Sequence, residues 1–367
     1  MTDAKTPARA SEPTTTAGLE GVIAAETVLS QVDGERGILR VRGHELAELV
    51  ADHGYEGAVA LMWEGFVADG LSRDGMRITL GAARARAFTR LGVWLGAAAG
   101  RSPNEAVRLC LAALPDDAAP ADIAAALPVG VAALLRVRGG AAPVAPDPNL
   151  GTAADFLRML HGTADAAQAA ALDAYITTVI DNGLGASTFA ARVVASTRAS
   201  LASAILAGYC AFTGPLHGGA PGPTLDMLDA IQASGDADAW LEKKLAAGER
   251  LMGFGHRVFR VRDPRADVLR AALQTLGPDA GRLTFANEVE RKALAALARH
   301  KPGRSLQSNV ELNAALLLEA VGVPRDAFTP VFALARVAGW IAHALEQQKT
   351  GRMIRPASRY IGPESSP

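Results

Sequence analysis

Apolar positions recur every three or four residues through most of this chain, and the alternation that marks a strand is confined to its beginning. In TVLSQVDGERGILRVRG, two short β-compatible runs flank Asp33-Gly34, a dipeptide suited to a tight hairpin turn. After Gly43, HELAELVADHG, EGAVALMWEGF and the stretch from Ser72 to Gly100 carry helical spacing. Ser102-Pro103 reads as an N-cap with proline at the first helical position, and Pro115 closes that helix. The clearest break is AAPVAPDPNLG, 141–151, a proline-rich stretch that Pro128 extends upstream. It is expected to be an ordered loop between helices. A second long helix is expected after Ala186, with Leu201, Ile205, Tyr209 and Phe212 on one buried stripe. It should stop at Thr213-Gly214-Pro215. The pattern predicts a mainly α protein with a small N-terminal hairpin.

Composition narrows the class. At 49% hydrophobic and 20% charged, the 367 residues can bury a large core, which excludes a disordered chain. The 37 basic and 38 acidic residues nearly cancel, so no global field recruits nucleic acid or an anionic membrane. Neither is expected as a partner. Cys110 and Cys210 sit in apolar runs and read as buried free thiols in a reducing compartment, with a disulfide as the alternative. The first eighteen residues hold no apolar block and read as a disordered tail. No continuous apolar run has membrane-spanning length, so no span and a cytoplasmic location are expected.

Four places set polar residues against this background. In Gly214–Ala220, two glycines after His217 would let a ligand approach the imidazole. In Met252–Arg265, a glycine turn presents His256 ahead of Arg257, Arg260, Arg262 and Arg265. Guanidinium groups bind carboxylates and phosphates bidentately, whereas an isolated arginine run is more often a solvated loop. Gly253 and Gly255 lack the third glycine and the preceding strand of a dinucleotide fingerprint. Glu311 heads an apolar helix, where it either acts chemically or complements the helix dipole. Arg336 lies within an apolar helix and needs a partner, while Trp340 and His343 read as a packed core pair. His217, His256 and Glu311 show no metal-ligand spacing, and no metal is expected.

Together these motifs resemble the citrate synthase family. The matching pieces are GLEGVIAAET, ILRVRGHELAEL, ASTFAARVVAST, GPLHGGA, LMGFGHRVFRVRDPRA, SNVEL, FTPVFALARVAGWIAH and IRPASRYIGP, from Gly18 to Gly362. The resemblance implies a two-domain helical fold with a small N-terminal β-hairpin. The large domain would be 18–216 with 321–367, the small one 217–320, and 1–17 a tail. It also implies a homodimer and a condensation of acetyl-CoA with oxaloacetate, acetyl-CoA or another acyl-CoA being a substrate and no cofactor being tightly bound. His217 would stabilise the enol of the thioester, His256 would polarise the acceptor ketone, and Glu311 would remove the methyl proton. Arg265, Arg336 and Arg355 would hold the carboxylates of oxaloacetate, Arg355 from the neighbouring subunit. Arg260 would meet a CoA phosphate, and the backbone of Met252, Gly253, Phe254 and Gly255 would read adenine.

Two departures stand out. The family base is usually aspartate, although one branch also carries glutamate, and a misplacement on the order of 1 Å can cost about a hundredfold. Asn182, thirty-five positions before His217, stands where the family places a histidine that helps bind oxaloacetate. An amide still donates a hydrogen bond but carries no charge. The alternatives are therefore 2-methylcitrate synthesis, a different keto-acid acceptor, or a weakly active CoA-ester-binding paralogue with a regulatory or structural role.

Overall fold

The computed structural model describes residues 17–19, 21–218, 221–255, 259, 261–277, 282–303 and 306–363. The N-terminal hairpin forms with a longer turn than Asp33-Gly34 alone would make. β1 (Ser30–Asp33) pairs antiparallel with β2 (Ile38–Val41), Asp33 facing Ile38, so residues 34–37 close the loop. The Asp33 carboxylate accepts from the Arg36 N–H at 3.0 Å, holding the wider turn. A two-residue β3 (His44–Glu45) pairs with β2.

Helices take over as the spacing predicts. α1 (Leu46–Glu48) continues through a π-helical turn, Leu49–His53, into α2 (Gly54–Trp63). α3 (Arg73–Thr89) ends well before Gly100, and the chain continues in two 3-10 turns, Leu91–Val93 and Gly96–Ala98. Gly92 and Gly96 sit where a longer helix would have to continue, and each glycine in a helix interior costs about 1 kcal/mol relative to alanine. α4 (Pro103–Ala112) opens on the expected cap, Ser102 and Glu105 each accepting from the other's backbone N–H. α5 (Pro120–Arg138) carries Pro128 inside it, so that proline belongs to a helix and not to the break. The 141–151 loop is pinned from both sides: Arg84 donates to Leu150 O, Arg136 to Ala142 O and Arg158 to Ala145 O. α6 (Thr152–His161) and α7 (Ala166–Thr178) follow.

The single long helix expected after Ala186 is two helices packed against each other, α8 (Ala186–Ser196) and α9 (Leu201–Phe212). Arg198 takes φ +68° and turns the chain back, and the Ser200 side chain caps α9 by accepting from the Ser203 N–H. Ile205, Tyr209 and Phe212 are fully buried, as their stripe predicts. The remaining helices are α10 (Pro221–Ser234), α11 (Ala237–Ala246), α12 (Pro264–Thr275), α13 (Leu283–His300), α14 (Val310–Ala320) and α15 (Phe328–Thr350).

α15 packs on α8, α9, α5, α2 and α7, and α12 bridges α7 and α14. Pro120–Arg138 and Arg325–Thr350 are long and apolar enough by composition to cross a membrane, although each is interrupted by proline, glycine and charged residues. Their apolar windows are 78% and 89% buried inside the protein. Cys110 is buried, and burial pushes its thiol up to about 12. Cys210 is exposed on α9, contrary to expectation, because it lies off the buried stripe, and both thiols are free.

Candidate active site

One face of α15 organises much of the site. Positions 336, 339, 340 and 343 follow helical three-and-four spacing and look toward residues 179–187. Arg336 is buried, donates through Nε to Val179 O at 2.8 Å and lies over the Phe332 ring at 5.1 Å. Among the described residues it has no ion-pair partner. Burial pulls it down to about 10, Asp181 working against that and Arg265 with it. Three residues on, Gly339 lets the loop sit flush on the helix, since a Cβ there would lie 2.4 Å from Ile180 O.

Trp340 and His343 are buried, as a packed core pair would be, and each also has a polar partner. Trp340 Nε1 donates to Ser187 Oγ at 3.1 Å, and His343 Nε2 meets the Asp181 carboxylate at 3.2 Å. Burial would push Asp181 up, but His343 and Arg336 outweigh it and hold the carboxyl at about 2.

His217 follows the end of α9. Gly218 N–H donates to Phe212 O at 2.9 Å, and a Cβ at 218 would come within 2.6 Å of that carbonyl. The first glycine after the histidine is thus needed to fold the chain onto α9. The second, Gly219, lies outside the described residues. Ser187 N–H points at His217 Nε2 at 3.3 Å, and Ser187 Oγ is 2.8 Å from the same nitrogen. A nitrogen that receives an N–H is an acceptor, so the proton of the neutral ring sits on Nδ1. Burial first, and Arg336 second, lower His217 to about 4.

Glu311 lies in the first turn of α14, its N–H held by the Asn309 side chain at 2.9 Å. Burial raises its carboxyl, with Asn309 and Arg265 opposing and Asp263 adding. Asp263 caps α12 and joins it to α14. Its Oδ1 accepts from Arg265 N–H and Nε at 3.1 and 3.0 Å, its Oδ2 from Arg265 Nη2 and Val310 N–H at 2.9 and 3.2 Å. Arg265 is therefore buried and ion-paired within its own turn. The Met252–Gly255 turn is stitched to the same helix start. Gly255 N–H donates to Gln307 O, Asn309 N–H to Gly253 O, and Asn309 Nδ2 to Gly255 O. Much of the backbone expected to read adenine thus already has intramolecular partners.

Asn182 follows Asp181 in a turn closed by Gly183 N–H donating to Asp181 Oδ2 at 3.1 Å. Its Oδ1 is buried without a hydrogen-bond partner among the described residues. Arg355 is exposed on the C-terminal segment and has no partner there either. His256 and Arg260 lie outside the described residues.

His217 feels Arg336, Arg336 feels Arg265 and Asp181, and Glu311 feels Arg265. Four of the residues singled out from sequence thus form one electrostatic neighbourhood; Arg355 does not join it within a single chain.

The family model for the citrate synthase C-terminal domain matches residues 18–357. The chain belongs to the citrate synthase family. Among similar proteins, a putative citrate synthase 2 of Mycobacterium tuberculosis is 37% identical over 354 residues, 94% of this chain and 92% of that one. A 2-methylcitrate synthase of the same organism is 32% identical over 366 residues, 95% and 90% of the two chains. The crystal structure of the Thermotoga maritima citrate synthase superposes with a TM-score of 0.84 at 30% identity, over 95% of this chain and 96% of that one. The mainly helical fold and the condensing-enzyme class expected from the motifs are those of the citrate synthase family.

Several residues packed around the candidate site were not singled out from the sequence. Asp263, Ser187, Asp181 and Arg192 each act through a partner distant in sequence or through a backbone N–H. Asp263-Pro264 did carry a signal, a capping residue followed by proline at the first helical position. Among the described residues, no three side chains of metal-ligating type cluster.

Proposed function

We propose that the protein condenses acetyl-CoA with oxaloacetate, releasing citrate and CoA. The observation that carries this reading is His217: neutral, its Nε2 occupied by Ser187, its Nδ1–H available, and electrostatically linked through Arg336 and Arg265 to Glu311. The Glu311 carboxylate takes a methyl proton from acetyl-CoA while His217 Nδ1–H stabilises the oxygen of the resulting enol, charge that develops only along the reaction. The enol carbon attacks the acceptor ketone, His256 protonates the alkoxide, and water then cleaves the thioester. Arg265 and Arg336 hold the acceptor carboxylates, Arg355 completes the site of the neighbouring subunit in a homodimer, and Arg260 with the Met252–Gly255 backbone contacts CoA. In this reading 217–320 closes over the substrates against 18–216 and 321–367, in the cytoplasm.

A thiol-release assay with acetyl-CoA, propionyl-CoA and a panel of keto acids tests it. Release with acetyl-CoA that depends on oxaloacetate is expected; none with any pair would sink the reading. The unpartnered Asn182 Oδ1 favours, as a second reading, an acceptor other than oxaloacetate. If oxaloacetate is the acceptor, Asn182→His lowers its KM by about ten- to a hundredfold, the worth of a charge-assisted hydrogen bond, and leaves the acetyl-CoA KM unchanged. Loss of turnover with another, preferred keto acid would establish the second reading.

A further inference from the structure

A buried polar cluster behind the acceptor loop takes part in no step above. Arg192, on α8, is 1% exposed. Its Nε and Nη2 lie 3.1 and 2.9 Å from His343 Nδ1, its Nη1 donates to Gln347 Oε1 at 2.9 Å, and its Nη2 also donates to the Glu346 carboxylate. A guanidinium only donates, so His343 Nδ1 is an acceptor and the ring proton sits on Nε2. That nitrogen faces both Asp181 oxygens, at 3.2 and 3.3 Å.

The cluster reaches three segments. Through Asp181 it holds the Gly183 N–H and the turn bearing Asn182. Through Glu346 Oε1 it holds the Val28 N–H at 2.9 Å. Gln347 Nε2 donates to Arg352 O at 3.1 Å, while Ser196, on the same helix as Arg192, accepts from the Ile354 N–H at 3.0 Å. Arg355 is the next residue. Buried ion pairs are often replaceable by apolar side chains of equal volume at no cost in stability, so stability alone does not call for this arrangement.

We propose that His343 is a positioning residue for the acceptor loop, 181–185, and that Arg192 joins that loop to the segment bearing Arg355, so that one buried linkage sets both. What the loop and Arg355 bind rests on the function proposed above; the linkage itself does not. Asp181 receives from His343, which receives from Arg192, and the guanidinium has further donors committed to Glu346 and Gln347. A side chain at 343 must therefore both accept and donate, and the flush contact at Gly339 leaves little room for water to stand in.

The test compares His343→Gln, which can accept and donate, with His343→Leu, which can do neither, and with Arg192→Lys. His343→Leu should raise the oxaloacetate KM by about tenfold or more, with the acetyl-CoA KM unchanged, and should speed amide exchange across 181–187. His343→Gln should recover most of both. Arg192→Lys should speed exchange in 181–187 and in 352–357 together, because one ammonium cannot replace a planar fork of donors. Should the Leu variant not fold, His343→Asn, too short to bridge both neighbours, takes its place against Gln. Equal acceptor KM in the Gln and Leu (or Asn) variants, or wild-type exchange at 352–357 in Arg192→Lys, would overturn the proposal. If the wild type makes no product from oxaloacetate, the exchange measurements still decide the linkage, and only the functional reading fails.

Discussion

The proton on His217 is placed by Ser187, and its absence from Nε2 is what burial reinforces. With a folded pKa of about 4 against an ordinary value of 6.5, the unfolded chain binds the extra proton between these limits. Stability therefore falls as pH drops from 6.5 toward 4. In His217→Gln the melting temperature should decline less over that interval than in the wild type; parallel melting curves would refute the assignment. Glu311 runs the other way. Its folded pKa is raised above 4.5, so its contribution is kept at low pH and lost as pH rises through the folded value. Under the proposed mechanism, the acid limb of kcat/KM should lie above the ordinary glutamate range, and Glu311→Gln should abolish turnover while making folding less sensitive to rising pH in that range. Residues of this kind were legible in the sequence because an ionisable group in an apolar stretch stands out. Ser187 was not, since its partner lies 30 positions away, and Asp263 showed only as a helix cap, its bond to α14 reaching 47 positions on.

Helical periodicity located α15 without revealing that its buried face is partly polar. Arg336, Trp340 and His343 look like interruptions of an apolar pattern until the loop from Val179 to Ser187 is laid beside them, and Gln347 until Arg192 is. The break between α8 and α9 was equally hidden, because Arg198 is an ordinary helix former whose positive φ is imposed by the packing of the two helices. Gly339 gives the element its test. Gly339→Ala would raise the intrinsic helix propensity of α15, yet the added methyl meets Ile180 O. Overpacking of this kind costs about 1–3 kcal/mol. The variant should melt below the wild type and bind the acceptor more weakly; a melting temperature raised by the better helix former would show that the loop can yield.

At the scale of the whole molecule, both terminal segments carry uncovered apolar side chains. Ile23 is 87% and Ile361 91% exposed, large apolar side chains that the proposed dimer would cover. Sedimentation should give twice the 37.9 kDa of one chain. Mixing an Arg355→Ala subunit with a His256→Ala subunit should restore part of the activity; no recovery in proven heterodimers would confine Arg355 to its own subunit. The order of motifs along the chain made the family legible, whereas the proposed reach of the tail to a second subunit is a matter of assembly that local patterns do not carry.

The late position of α15 also bears on how the chain acquires its shape during synthesis. Tyr55 Oη donates to Leu334 O, Trp63 Nε1 to Ala338 O and the Val28 N–H to Glu346, partners 279, 275 and 318 residues downstream. Val28 and α2 thus wait for α15 to be made, and such non-local closure slows folding. Nascent chains halted before Phe328 should hold Trp63 and Tyr55 uncovered, bind a hydrophobic dye and engage holdase chaperones, then release both once α15 is added.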